Sequence, residues 1–207
     1  MKSKILILDI GMGNLGSIQN MLKKINCPSI ISSDPEDIQS AEKVILPGVG
    51  SFDSVMKSIE ALNIKELLEI QVIKNKIPIL GICLGIQMFT KGSEEGLLPG
   101  LGWIDAKTIR FSFSGNQNLK IPHMGWNTTS LHKENLLFSK MHPDARFYFV
   151  HSYHILCQDS NDILTTTHYG YDFVSSIQKN NIYGTQFHPE KSHKYGMKIF
   201  ENFTELC

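Results

Sequence analysis

Pro78-Ile79-Leu80-Gly81-Ile82-Cys83-Leu84-Gly85-Ile86-Gln87-Met88-Phe89 is the stretch on which the reading of this chain turns. Pro78 to Ile82 is an apolar run; Gly-x-Cys-x-Gly and a helix-like pattern follow it. Such a run is what a strand covered on both faces shows. A strand that turns sharply into a helix at Gly-x-nucleophile-x-Gly forces the central side chain outward. Gly81 and Gly85 remove Cβ atoms that would crowd the turn. The helix start adds free backbone N–H groups and a positive dipole end beside the sulfur, which favours thiolate. The competing reading is a buried structural cysteine in a parallel-sheet core, and this motif alone does not decide between the two.

Tyr183-Gly184-Thr185-Gln186-Phe187-His188-Pro189-Glu190-Lys191-Ser192 tips the balance. Pro189 disfavours a helical His188 and pushes it into extended backbone. Side chains two apart on an extended chain point to one side. His188 and Glu190 can then sit together, with Glu190 orienting the imidazole and His188 serving Cys83 as base. This is the logic of a catalytic triad made of Cys, His and Glu. A lone His-x-Glu reads as a solvated pair; beside a cysteine elbow, the catalytic reading is the stronger one.

The flanking sequence supplies a frame. Ile5-Leu6-Ile7-Leu8, Ser29 to Ile31 and Val44-Ile45-Leu46 read as strands. Leu15 to Ile25 reads as a helix with Ile18, Met21, Leu22 and Ile25 on one face. Asp34 before Pro35 reads as a helix start, and Asn63 to Lys76 as another amphipathic helix. This βαβ rhythm predicts a doubly wound parallel sheet. Past Phe89 the texture changes to short strands: Trp103–Arg110, Arg146–His151, Ile155–Gln158, Ile163–His168, Phe173–Gln178 and Ile182–Gln186, with a turn at Ser114-Gly115-Asn116 and a closing helix from Tyr195 to Leu206. The fold class expected is α/β: one domain over 1–207, a mostly parallel central sheet flanked by helices, with an antiparallel β section.

Composition narrows the function classes. The 207 residues suffice for one domain with a full core. Twenty basic and twenty acidic residues balance, so nothing points to nucleic acid or an anionic membrane as partner. No apolar run approaches the roughly 20 residues of a membrane span. The short run after Met1-Lys2-Ser3-Lys4 argues against a signal peptide. Cys27, Cys83, Cys157 and Cys207 show no zinc spacing, and free thiols suit a cytoplasmic location. His151 and His154 lack a carboxylate or Cys at matching spacing, so hydrogen-bonded roles are expected and no metal site. Gly11-Met12-Gly13-Asn14-Leu15-Gly16 matches G-x-G-x-x-G after a strand, with Asp34 downstream. A dinucleotide site there would leave the Cys-His-Glu set unexplained, so no cofactor is expected.

The two motifs together resemble the class I (triad) glutamine amidotransferases. Pro47-Gly48-Val49-Gly50-Ser51-Phe52, Ser93-Glu94-Glu95, Pro122-His123-Met124-Gly125-Trp126-Asn127 and Tyr148-Phe149-Val150-His151-Ser152-Tyr153 narrow the resemblance to the glutaminase subunits of imidazole glycerol phosphate synthase. It covers essentially the whole chain. It implies hydrolysis of glutamine by Cys83, His188 and Glu190. It implies oxyanion N–H groups from Val49 and Leu84, and glutamine-binding roles for Gly48, Gly50, Gln87, Glu95, His151, Ser152 and Tyr153. It implies a heterodimer in which ammonia passes to a (β/α)8-barrel cyclase of histidine biosynthesis, and a Gly11–Gly16 loop that faces this partner. His154 departs from the residue usual there in the family. A paralogous glutaminase supplying another synthase, such as one that aminates or amidinates a surface-glycan sugar, stays open at this point. So do a cysteine hydrolase of another amide and a catalytically silent binding protein.

Overall fold

The computed structural model describes residues 4–113 and 119–207, so the expected turn at Ser114-Gly115-Asn116 lies outside the described residues. The first half alternates strands and helices: β1 (Ile5–Leu8), α1 (Leu15–Lys24), β2 (Ser29–Ser32), α2 (Pro35–Ser40), β3 (Lys43–Gly48), α3 (Phe52–Ala61), α4 (Lys65–Glu69), β4 (Ile79–Cys83) and α5 (Leu84–Met88). Then come β5 (Ala106–Arg110), β6 (His123–Thr128), β7 (Ser130–Leu131), β8 (Arg146–His151), β9 (Tyr153–Cys157), β10 (Ile163–Tyr169), β11 (Tyr171–Lys179), β12 (Ile182–Thr185) and α6 (His193–Leu206).

The main sheet runs β2-β1-β3-β4-β12-β11-β10-β7, with β9 joining β11 to β5. Pairing is parallel from β2 through to β12 and antiparallel beyond. The expected mixed α/β architecture is therefore present. Residues of β1 alternate between two apolar cores, one on each face. Leu6 and Leu8 pack with Ile38, Phe52, Val55, Leu68 and Ile86, and Ile5 and Ile7 with Ile18, Leu22, Ile199, Phe200 and Phe203. A strand buried on both faces cannot show polar alternation, which is why its sequence is uniformly apolar.

Local signals explain several boundaries. Asp34 Oδ1 accepts from Glu36 N at 2.8 Å and caps α2 with Pro35 at its first position, as expected. The expected helix Asn63–Lys76 starts at Lys65 and loosens after Glu69 into a π turn, Ile70–Lys74. Helix α3 is absent from the sequence reading although Phe52, Val55, Met56 and Ile59 are buried at helical spacing. Strand β5 starts at Ala106 because Trp103 stacks on Phe89 instead, with centroids 5.3 Å apart. Strand β6 is a second element that the sequence does not announce. His, Gly and Asn dilute its pattern, yet it pairs antiparallel with β8 in a separate two-stranded sheet that sets His123 opposite His151.

Candidate active site

Strand β4 ends and α5 begins at Cys83, whose φ of +55° and ψ of −104° lie where L-residues seldom sit. Holding such a conformation costs on the order of 1–3 kcal/mol, and it persists only where the surroundings enforce it. Here β4 pairs with β3 on one side, Gly48 opposite Cys83, and with β12 on the other, Thr185 opposite Ile82. Helix α5 leaves no room for ordinary side chains under the turn. A Cβ on Gly85 would sit 2.0 Å from Leu46 O, and one on Gly81 2.6 Å from Phe89 Cε2. The sharp strand-to-helix elbow read from the sequence is present, and Cys83 is buried but faces a cleft.

Strand β12 delivers the histidine. Its backbone pairing continues past Thr185, with Gln186 N donating to Ser175 O at 2.9 Å and His188 N to Tyr148 O at 2.9 Å. Extended backbone sends Phe187 to the opposite side, where it stacks on Phe147 with centroids 4.0 Å apart. Ser192 Oγ donates to the His188 carbonyl at 2.6 Å. His188 Nδ1 lies 2.8 Å from Glu190 Oε1; a carboxylate oxygen accepts, so Nδ1 carries the proton. The imidazole lines the same cleft as Cys83, whose sulfur is one of the groups acting on its charge. Both His188 and Glu190 side chains are almost wholly buried. Burial alone would lower the His188 pKa. The Cys83 sulfur and Glu190 act the other way and push it up to about 10. Glu190 Oε2 has no hydrogen-bond partner among the described residues, so His188 is the group that answers its charge.

A cleft of about 330 Å³ opens over Cys83. Val49, Gly50, Leu84, Gln87, Glu95, His151, Ser152, Tyr153 and His188 line it, so the structure brings nearly all the expected site residues together. Glu190 stands behind His188, and Gly48 is also outside the lining. Gly48 lies buried beneath the turn, where a Cβ would meet Leu84 Cβ at 2.9 Å, so it makes room for the elbow. Gly50, with φ +101°, gives the adjacent loop a backbone that side chains resist. Glu95 Oε2 accepts from Phe52 N at 2.8 Å at the start of α3, which fixes a carboxylate at the cleft wall. Sequence reasoning missed Pro122, Val150 and Lys191 as wall residues. Lys191 directly follows Glu190, and that adjacency was a usable signal.

His151 and His154 are hydrogen-bonded, as expected. His154 Nδ1 lies 3.2 Å from Ile155 O and Nε2 2.8 Å from Tyr171 Oη. Burial lowers the pKa of His154, takes that of His151 well down and that of His123 to about 4, so all three are neutral near pH 7. Among the described residues no group of three or more His, Cys, Asp or Glu is arranged to hold a metal, and no helix is long and apolar enough to cross a membrane.

A sharply turned cysteine, a histidine and a buried glutamate on a mixed α/β sheet define a class of protein. The family model described as Glutamine amidotransferase class-I matches residues 6–206, and the chain belongs to that family. Among curated relatives it is 53% identical over 199 residues, 96% of this chain and 98% of the other, to "Imidazole glycerol phosphate synthase subunit HisH 2" of Methanococcus maripaludis. It is 46% identical to the protein of the same name from Pseudomonas aeruginosa, covering 98% of this chain and 99% of that one. To the HisH subunit of Leptospira borgpetersenii it is 45% identical, covering 97% and 98%. Within its family the chain therefore falls among the HisH subunits, and it is an enzyme. Solved structures show the same fold. PurLQS from Thermotoga maritima matches with TM-score 0.70 at 17% identity over 98% of each chain. A glutamine amidotransferase from the same organism matches with TM-score 0.64 at 19% identity over 92% of this chain and 77% of that one.

Proposed function

We propose that Cys83, His188 and Glu190 hydrolyse glutamine, and that the ammonia feeds imidazole glycerol phosphate synthesis. The observation that carries this reading is an elbow cysteine sharing one cleft with an imidazole whose Nδ1 is 2.8 Å from a buried glutamate. Cys83 thiolate attacks the side-chain carbonyl of glutamine, and the backbone N–H groups of Leu84 and Val49 receive the developing oxyanion. Each such donor is worth about 10²–10³ in kcat. His188 gives its proton to the departing ammonia, then takes one from the water that releases glutamate from the thioester. Glu190 holds the imidazole in place throughout.

Recognition follows from which atoms the cleft has left over. Gln87 Nε2 is committed to Tyr153 O and Gln186 Oε1, each at 3.1 Å, so what Gln87 offers a ligand is its oxygen. That acceptor and the Glu95 carboxylate suit the α-ammonium of glutamine, with His151, Ser152 and Tyr153 contributing beside them. Ammonia made here needs an acceptor, and relatives named as subunits of a synthase support one on a second chain. In this reading the partner is a (β/α)8-barrel cyclase, the assembly is a cytoplasmic heterodimer, and its products are imidazole glycerol phosphate and an aminoimidazole carboxamide ribotide. A second reading draws on the relatives whose names carry the numeral 2. A numbered copy fits a paralogue that supplies ammonia to another synthase, such as one acting on a surface-glycan sugar. The genes beside this one discriminate between the two.

The chemistry is tested by a diazoketone analogue of glutamine. Burial pushes the Cys157 thiol up to about 12 and raises that of Cys207. The analogue is expected to label Cys83 and to spare Cys27, Cys157 and Cys207, read by mass spectrometry of the labelled peptide. Label spread over the other cysteines, or none on Cys83, would remove Cys83 as nucleophile.

A further inference from the structure

Gln186 has no part in the steps above, yet its side chain is fully buried and aimed at the reacting sulfur. Its exposure is 0%, and its Nε2 lies 3.8 Å from Cys83 Sγ, a long N–H···S contact. Which end of a side-chain amide faces a neighbour is assigned from its partners. Here the partners leave one answer. The Tyr153 carbonyl can only accept, and the Gln87 amide meets it at 3.1 Å, so the nitrogen end of Gln87 faces it. The same nitrogen lies 3.1 Å from Gln186, so the oxygen end of Gln186 faces Gln87 and its nitrogen turns to Cys83.

The path extends the other way by the same reasoning. His151 Nδ1, 2.7 Å from Tyr153 O, must carry the proton. His151 Nε2 then accepts from His123 Nδ1 at 3.1 Å, and His123 Nε2 from Asn127 Nδ2 at 3.3 Å. The protons of the whole path from Asn127 to Cys83 are thereby placed.

Besides the His188 imidazole, Cys83 Sγ has two neighbours, Gln186 Nε2 and the Val150 carbonyl at 3.9 Å. A carbonyl accepts from a thiol and repels a thiolate; an amide N–H does the reverse. The two neighbours therefore oppose each other over the charge of one sulfur. We propose that Gln186 is a positioning residue that favours and orients the Cys83 thiolate, with Gln87 fixing the direction of its amide. The proposal rests on Cys83 being the nucleophile.

The test is the rate of Cys83 alkylation by iodoacetamide against pH, in wild type, Gln186→Met and Gln186→Glu, with thermal melting followed alongside. Gln186→Met keeps bulk and loses the N–H. The alkylation profile is expected to move to higher pH, with the rate at pH 7 falling roughly tenfold, the low end for a hydrogen bond to a charged group. Gln186→Glu keeps an acceptor for Gln87 but sets a carboxylate against the sulfur, and is expected to fall further. In both, kcat for glutamine should drop more than KM rises. Profiles that superimpose on wild type would overturn the proposal. Should the variants misfold, the wild-type amide protons of Gln186 decide it by NMR. They are expected to shift over the pH range in which alkylation rises, and an unmoved resonance would overturn the proposal. If wild-type Cys83 is alkylated no faster than Cys157, the nucleophile reading itself fails, and this proposal with it.

Discussion

His188 is held through its backbone by Tyr148, through its carbonyl by Ser192 and through Nδ1 by Glu190, so the ring has little freedom except toward Cys83. Its raised pKa has a kinetic consequence. In the proposed mechanism a general acid works only while protonated, so a pKa of about 10 would keep His188 competent to protonate departing ammonia across neutral pH, and activity is expected to fall as pH rises through that value. Glu190→Gln removes one of the groups that raise it. The alkaline limb of the kcat–pH profile should then move to lower pH, and kcat at neutral pH should fall on the order of 10²–10⁴-fold. A limb that stays in place would mean that Glu190 does not set the imidazole charge. At this scale much is legible in the sequence: period-two spacing joins His188 to Glu190, and glycines flank Cys83. Gln186 obeys the same period but does not stand out as a site residue, because its role depends on Gln87 and Tyr153, which only the fold brings near. Gly48 reads as a binding residue because the motif is contiguous; the fold places it beneath the elbow.

The element that matters most is the junction of β4 with α5. It works because α5 lies almost on the carbonyl of Leu46 at Gly85. Gly85→Ala would place a methyl against backbone on β3, which cannot swing aside as a side chain would. Overpacking of this kind costs about 1–3 kcal/mol, and the strained turn above it should lose its geometry. The expected result is a lowered urea midpoint together with loss of Cys83 labelling. Full stability and full labelling would show that the close approach is dispensable. The parallel strands are readable because they are buried on both faces. Helix α3 and strand β6 are not: the first follows a Pro-Gly loop whose glycines dominate the local pattern, and the second lacks the β-branched residues that mark strands.

On the scale of the whole molecule, the cleft sits at the carboxyl ends of β3, β4 and β12, where neighbouring parallel strands deliver Gly48, Cys83 and the Gln186–His188 segment to one edge. Open α/β sheets place their ligands at that edge. Mixed sheet order decides which strand ends become neighbours. Strand β12, last in sequence, lies beside β4, and no local pattern announces that pairing. The proposed function makes one claim about the whole chain: that it supplies nitrogen to a synthase and does nothing else to the acceptor. The most direct measurement is synthesis by the chain reconstituted with its cyclase partner, wild type against Cys83→Ala, with glutamine or with ammonium salt as nitrogen source. The account predicts that Cys83→Ala abolishes glutamine-dependent synthesis and leaves ammonia-dependent synthesis at the wild-type rate. Glutamine-dependent turnover that survives the substitution would contradict it.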